Sequence, residues 1–481
     1  MPDVEVRIQP QGAVLQSFFD SSKPVQIIRG PLGSGKTIQV CAKIPEIMRK
    51  QQPNAQGVRL TRWVAVRNTY SELFSTTIKD WLEVNGYLGT FSEGGKKPPQ
   101  QTLDYDLDDG TSVRAEMIFI AFDRPDHVKK ARGLQLTGVW LNETKEISKS
   151  VVDMLDLRVG RYPSKKEGVL PSWFGMLGDT NSPDEDHWLY RMAEEEKPDD
   201  WAFFHQPGGV KKVGESWELN PEAENLLNLP DNYYRRGMQG KSNDWIKVNL
   251  ANEYGFVSDG KPVHPRYVDS VHCVDMAFTP DKDKKIVLGF DFGRTPACLM
   301  LQRGSFNRWI AFDEFLADDM SAITFAPELK LYLDANYPDY EFQGWGDPSG
   351  DNRGQGTDDT PFKIIRAAGI PCFPTQSNNP TVRRAALEKP MIEMCMDGKP
   401  RFIILPKCKM TRKGLQGGFS YRRVQTTTER YTDEPDKNEY SHPCEALEYG
   451  LQGEGEGREA LVMANANVNT VQAEVSFSVF D

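Results

Sequence analysis

The chain has 481 residues, 38% hydrophobic and 26% charged, enough apolar material to bury sizeable cores and to exclude wholesale disorder. No stretch approaches the ~20 uncharged apolar residues of a membrane span, and the N-terminus has no apolar signal-peptide core, so a soluble protein without membrane association is expected. The net charge of −11 argues against a general nucleic-acid binder but leaves room for a local basic stripe.

The first half alternates apolar runs with helical stretches. Strands are expected at Val25–Arg29, Trp63–Val66, Ala115–Phe122, Leu136–Leu141, Trp173–Gly178 and Ala202–His205, with amphipathic helices at Ile38–Arg49 and Leu73–Leu82. This pattern predicts an α/β fold with a mostly parallel sheet covered on both faces. Between 206 and 285 the texture turns to Gly, Lys, Asn, Pro and Asp, as in an inter-domain connection. The second half restarts with strands at Lys285–Asp291, Pro296–Gln302 and Trp309–Phe315, close enough for an antiparallel meander. A helix at Ala322–Asn336, a strand at Glu341–Gly346, a polar loop and a helix at Thr381–Met396 follow. The Gly/Glu- and Asn-rich stretch after Gly453 reads as a mobile tail. The 7 cysteines, odd in number and without a C-x-x-C pair, read as reduced cytosolic thiols.

The sharpest motif is Gly30-Pro31-Leu32-Gly33-Ser34-Gly35-Lys36-Thr37, a complete G-x-x-x-x-G-K-[ST] phosphate loop between an apolar strand and an amphipathic helix. Backbone N–H groups of such a loop surround phosphates, Lys36 reaches the β- and γ-phosphates of ATP, and the Thr37 hydroxyl ligates Mg²⁺. The strand ending in Asn142-Glu143 supplies the second half of the site: Glu143 is expected to polarise the attacking water. Asn142 stands where an acid is usual. Its oxygen could accept from a metal-bound water but carries no charge, so metal affinity is expected to fall. Thr180 and Asn181, after another apolar strand, are expected to sense the γ-phosphate, and Arg29, Arg67 and Arg132 are candidate cations for the transition state.

The second half carries a metal-nuclease pattern. Hydrolysis of a phosphodiester by two divalent ions needs carboxylates converging from separate strands and a helix. Asp291, within Gly289-Phe290-Asp291-Phe292-Gly293, and Asp347, after Gly344-Trp345-Gly346, sit at strand ends. Glu445 lies on a late helix with Ser441 as N-cap and Pro443 in its first turn. These acids would hold two Mg²⁺ or Mn²⁺, with His442 three residues from Glu445 as a phosphate or water contact. Asp351, Asp313, Glu314 and Glu448 are reserves, Asp313 and Glu314 being expected to face solvent. The stretch 406–424 places Lys407, Lys409, Arg412, Lys413, Arg422 and Arg423 among glycines and aromatics, as a flexible ribbon gripping DNA phosphates would; Arg383 and Arg384 could extend the groove.

In the order of these motifs the chain resembles the large terminase subunit, the DNA-packaging motor of tailed bacteriophages, over nearly its whole length. Further family-like stretches are Trp63–Arg67 with Asn68-Thr69-Tyr70, Arg132-Gly133-Leu134, Asp179-Thr180-Asn181 with His187-Trp188, Asn220–Asn225, and Asp259–Val263. The resemblance implies an N-terminal P-loop ATPase of the RecA-like, additional-strand catalytic-glutamate class (1–235), a connection (236–284), an RNase H-like nuclease with a mixed sheet (285–455) and a flexible tail (456–481). It implies that Gln16 contacts adenine, that Thr180 and Asn181 couple hydrolysis to movement, and that Arg67 acts as an arginine finger, in its own site or a neighbour's. In the family the third nuclease acid is usually Asp, so Glu445 shifts the carboxylate outward by one methylene.

The implied function is ATP-driven translocation of double-stranded viral DNA into a procapsid, with endonucleolytic cutting of concatemers. The implied partners are the portal protein, the small terminase subunit and copies of the chain itself in a ring on the capsid. The implied location is the host cytoplasm with transient docking on the procapsid. Two alternatives stand beside it: an ATPase-linked recombination or repair nuclease without a capsid role, and a non-catalytic docking protein, the latter motivated by Asn142 and Glu445.

Overall fold

The computed structural model describes residues 9–95, 97–122, 132–214, 216–257, 260–293, 295–351, 360–424 and 430–464, with backbone alone at 351, 423, 424 and 430. Asp259, the side chains of Asp351 and Arg423, and residues 465–481 therefore lie outside the described residues. The chain forms two compact units, Met1–Phe256 and Val257–Asp481. Among the described residues no helix is long and apolar enough to cross a membrane.

The first unit is built on an 8-stranded sheet, ordered β3-β4-β5-β2-β6-β7-β1-β8. Its strands are β1 (Val25–Arg29), β2 (Val58–Arg67), β3 (Gly89–Ser92), β4 (Gln100–Asp106), β5 (Ser112–Ala121), β6 (Gly138–Asn142), β7 (Gly175–Thr180) and β8 (Trp201–His205). From β5 through β8 every pairing is parallel, and β4 and β3 extend the edge antiparallel. Alternate residues of the central strands point to opposite faces. Ile28, Trp63, Ala65, Trp140 and Leu177 pack with Val40, Ile44 and Trp81 on one side. Val25, Ile27, Val64, Val66, Val139 and Leu141 pack with Val151, Val152 and Leu155 on the other. Both faces being covered, these strands read as continuous apolar runs. The helix expected at Leu73–Leu82 is a wide π turn, Leu73–Thr77, running into the α-helix Ile78–Asn85. A ribbon of β9 (Val210–Val213) and β10 (Ser216–Leu219) lies beyond the sheet.

The second unit centres on a 6-stranded mixed sheet. Here β11 (Lys261–Pro262) is a short strand paired with β18 (Ser420–Tyr421). The main sheet contains β12 (Ile286–Asp291), β13 (Ala297–Arg303), β14 (Trp309–Leu316), β15 (Phe342–Gly346), β16 (Cys372–Pro374) and β17 (Phe402–Ile404), in the order β16-β15-β12-β13-β14-β17. The meander β12-β13-β14 is antiparallel, and β15, β16 and β17 join in parallel. A final pair, β19 (Arg423–Val424) and β20 (Arg430–Tyr431), is antiparallel. One face packs on the helix Ser441–Gly453 through Ala446, Leu447 and Leu451; the other packs on the helix Ala322–Asn336 through Phe325, Leu329 and Leu333. Gly289 sets how closely Ser441–Gly453 approaches β12: a Cβ there would lie 2.0 Å from the Ala446 carbonyl oxygen.

Several expected boundaries move. The stretch 236–284 is shared out: Ile246, Leu250 and Ala251 pack with Val210 and Tyr234 in the first unit, while Val263 and Tyr267 enter a core of the second. Residues 456–464 are tied down, with Glu456 accepting from Trp309 at 3.0 Å and from Arg401 at 2.7 and 2.8 Å, and 458–464 helical. The helix expected to reach Met396 ends at Ile392, after which Met394 bridges Pro400.

Candidate functional site

In the first unit the phosphate loop leaves β1 and opens the helix Lys36–Lys50. Gly33 and Gly35 both adopt φ +79°, a left-handed conformation that strains any side chain. Backbone turns of this kind at a helix N-terminus form the concavity that takes phosphate oxygens. The Lys36 ammonium, almost wholly buried, donates to the Asn181 side-chain oxygen at 2.7 Å and the Pro31 carbonyl at 3.3 Å.

Behind the loop, β6 and β7 run side by side with Asn142 opposite Asp179. The Thr37 hydroxyl donates to Asp179 Oδ2 at 2.7 Å. Asp179 also accepts from the Trp140 indole at 2.7 Å and the Asn142 amide at 3.0 Å. The Asn142 oxygen instead accepts from the Thr77 hydroxyl at 2.6 Å. The oxygen expected to serve a metal-bound water thus accepts from Thr77, and the NH₂ end faces a carboxylate, the orientation that makes a hydrogen bond there. Burial, reinforced by the nearby charge of Glu143, pushes the Asp179 carboxyl above its ordinary pKa, against the pull of Trp140, Thr37 and Lys36.

Glu143 takes φ 51°, ψ 61°, a left-handed conformation costing a non-glycine residue about 1–3 kcal/mol, of the kind found at functional sites. Its carboxylate accepts from the Asn181 backbone N–H at 3.3 Å. Asn181 thus touches Lys36 with its side chain and Glu143 with its backbone. The Thr180 hydroxyl donates to the Asn181 carbonyl at 2.9 Å and accepts from the Lys145 N–H at 3.2 Å. For the ion that accompanies ATP, the residues fit: a hydroxyl oxygen on Thr37 backed by a carboxylate, beside the lysine that meets the phosphates.

Other expected residues lie elsewhere. Gln16, on the helix Ala13–Asp20, bonds Asp20 at 2.8 Å in an exposed position. Contacts to the loop to which the sequence assigned no role come from Gln206, whose amide donates to the Ser34 carbonyl at 3.0 Å, and from the stretch 224–234. The Asn225 amide donates to the Gly33 carbonyl at 2.8 Å, the Tyr234 hydroxyl to the Leu32 carbonyl at 3.0 Å, and Glu224 accepts from the Val14 and Leu15 N–H groups that open the helix Ala13–Asp20.

Arg67 is buried on its own chain, 3.4 Å from Glu146 and 3.8 Å from Glu72, and Arg29 lies 3.7 Å from the centre of the Tyr254 ring; Arg132 is exposed. To reach another copy's nucleotide Arg67 would have to leave Glu146 and Glu72. Mixing Arg67→Ala chains with Lys36→Ala chains is thus expected to restore no hydrolysis, and Arg67→Ala alone should cost about 1–3 kcal/mol of stability by stranding Glu146. Recovered hydrolysis in the mixture, or unfolding at the wild-type denaturant midpoint, would contradict this placement.

In the second unit, Phe290 is in register with Gly346 on parallel strands, which brings Asp291 and Asp347 to the same end of two neighbouring interior strands. Asp291 Oδ2 bonds His442 Nδ1 at 2.7 Å, and this bond raises the His442 pKa. Asp347 accepts from the Ser349 N–H at 2.8 Å, and its charge lies near the Tyr449 hydroxyl, which accepts from Arg383 at 2.7 Å. Glu445 is placed nearby by the same helix as His442, but Arg383 holds one of its oxygens at 2.8 Å and Lys437 the other. Burial raises the Glu445 pKa, opposed by Arg383. Arg383 also bonds Glu448, which in turn bonds His264 at 2.8 Å in a fully buried pair.

Among the described residues no group of three or more His, Cys, Asp or Glu is placed to hold a metal ion. The three-acid set expected for two ions is thus met only in part: Asp291 and Asp347 stand at neighbouring strand ends, while both oxygens of Glu445 carry cations. Helix N-capping also differs, for Tyr440 occupies the N-cap and Ser441 is the first helical residue.

The basic stretch is corrected more strongly. Residues 409–413 are helical, 414–418 form a π turn, and Leu415 and Phe419 are core residues, so it is no flexible ribbon. Lys407 is paired with Asp313 at 2.6 Å, Arg412 with Asp269 at 2.8 Å, and Arg422 with Asp436 at 2.8 Å. Lys409 and Lys413 also have partners, and the Arg423 side chain lies outside the described residues. Arg383 is buried, and Arg384 bonds the Tyr421 hydroxyl at 2.6 Å. Asp313 is buried and accepts from Tyr332 and Tyr337 as well as Lys407, and Glu314 accepts from the Met410 and Thr411 N–H groups. Neither faces open solvent as expected.

No protein-family model matches the chain, and no curated protein matches it. Among solved structures, the large terminase of a thermophilic bacteriophage is 14% identical with a TM-score of 0.40, over 92% of this chain and 98% of that one. The same protein in complex with ATP-gamma-S is 13% identical with a TM-score of 0.38, over 92% and 98%. The large terminase of bacteriophage HK97 is 10% identical with a TM-score of 0.40, over 93% and 95%. Likenesses this distant carry no argument of their own.

Proposed function

We propose that the first unit is an ATPase that drives double-stranded DNA into a viral procapsid. The observation that carries the ATPase reading is the convergence of Lys36, Thr37, Glu143 and Asn181 at the ends of β1, β6 and β7. Lys36, released from Asn181 when nucleotide enters, meets the β- and γ-phosphates. Glu143 accepts a proton from the attacking water. Asn181 then reports the state of the γ-phosphate, because it loses or regains Lys36 with each cycle. Mg²⁺ would be held through Thr37 and would neutralise charge between the β- and γ-phosphates. That the work done is DNA packaging rests on the ordered motifs that resemble large terminases, and it would bring in a portal, a small subunit and a ring of copies as partners.

The second unit is proposed as the nuclease of the same motor. Asp291 and Asp347 support this reading by standing at the same end of neighbouring strands, and they would hold the divalent ion that stabilises the leaving 3′-oxygen. Glu445 would join them only by giving up Arg383 and Lys437. The test of the ATPase reading is hydrolysis by the full chain with and without linear double-stranded DNA: Mg²⁺-dependent turnover stimulated by DNA is expected, and absence of turnover under both conditions would overturn it.

A further inference from the structure

We propose that Asp179, and not the Asn142 strand end, is the acid that anchors the divalent ion of the nucleotide site, acting through the Thr37 hydroxyl. This rests on the ATPase reading and names a residue within it. A threonine oxygen that gives its proton to an anion turns its lone pairs outward and becomes a stronger ligand. Thr37 gives its proton to Asp179 at 2.7 Å. The Thr37 proton goes to Asp179 and not to Asn142, whose oxygen accepts from Thr77 and whose amide points at Asp179.

Register explains how the exchange is possible. Asn142 and Asp179 are opposite one another on neighbouring parallel strands, so a carboxylate moved from one strand end to the next remains within hydrogen-bond reach of the loop. Trp140 and Asn142 bond Asp179 as neutral donors. They orient the carboxylate without cancelling its charge. Glu143 adds a second acid close by, while Lys36 contributes one positive charge to the same neighbourhood. Restoring an acid at Asn142 would put two carboxylates face to face in a buried place, where like charges disfavour joint ionisation.

The experiment uses the full chain and the probes ADP and Mn²⁺, reading Mn²⁺ occupancy of the ADP complex by electron paramagnetic resonance and ADP affinity without metal by calorimetry. Asp179→Asn is expected to weaken Mn²⁺ about 10–100-fold with metal-free ADP affinity retained. Asn142→Asp is expected not to tighten Mn²⁺, and the double variant Asn142→Asp/Asp179→Asn to recover most of the loss by returning the charge to the neighbouring strand.

Wild-type Mn²⁺ affinity in Asp179→Asn, tightening of about tenfold in Asn142→Asp, or no recovery in the double variant would each overturn the assignment. Should Asp179→Asn fail to fold, the Asn142→Asp result decides alone. Wild-type chain that binds no ADP would overturn the ATPase reading itself, an outcome distinct from all of these.

Discussion

Replacing Lys36 with alanine is expected to abolish ATP hydrolysis. The methyl group cannot meet the charge on the β- and γ-phosphates, and losing one preorganised cation of this kind costs on the order of 10²–10³ in rate. A second effect precedes nucleotide entry: Lys36 holds the Asn181 side chain at 2.7 Å, and the substitution removes that contact from the empty site. Steady-state phosphate release by purified Lys36→Ala is the measurement. Turnover at the wild-type rate would remove the loop from the catalytic site.

Asp347→Asn should separate the two proposed chemistries. The substitution keeps size and the Ser349 contact while removing one negative charge from the end of the sheet shared with Asp291. If that end carries the nuclease, Mg²⁺- or Mn²⁺-dependent cleavage of plasmid DNA should fall on the order of 10²–10³-fold. ATP hydrolysis, carried by Lys36 and Glu143 on the other unit, should be unchanged in the same sample. Cleavage at the wild-type rate would remove Asp347 from the site. A parallel Glu445→Gln variant asks whether the third acid takes part: its oxygens are held by Arg383 and Lys437, so a fall in cleavage without loss of fold would show that it exchanges those cations for the reaction.

What the sequence makes legible is local. The phosphate loop, its strand and its helix are adjacent in the chain, and the glycine spacing states the backbone conformation that Gly33 and Gly35 adopt. The apolar runs of β1, β6, β7 and β12 announce strands buried on both faces, and acids at such strand ends stand out. The edge strand β3 and its neighbour β4 escape such a reading because Gly89–Ser92 and Gln100–Asp106 are mostly polar and lack an apolar run.

Partners remote in sequence are the other blind spot. The cations of 406–424 read as unpaired in the sequence, while Asp313, 94 residues from Lys407, and Asp269, 143 residues from Arg412, stand beside them in the fold. In the sequence Asp179 stands only as part of a sensor motif. Its donors come from the loop and from the neighbouring strand, and strand neighbours are set by sheet order. Asn142 looks like a lost charge, whereas the charge stands one strand away.

The central claim, that hydrolysis at Lys36 moves DNA, is tested most directly by a packaging reaction containing the full chain, cognate procapsids, linear double-stranded DNA and ATP, read as DNA protected from an added nuclease. Protection that requires ATP, disappears in Lys36→Ala and persists in Asp347→Asn is the predicted result. ATP hydrolysis by the wild-type chain with no protected DNA, or equal protection by Lys36→Ala, would contradict it.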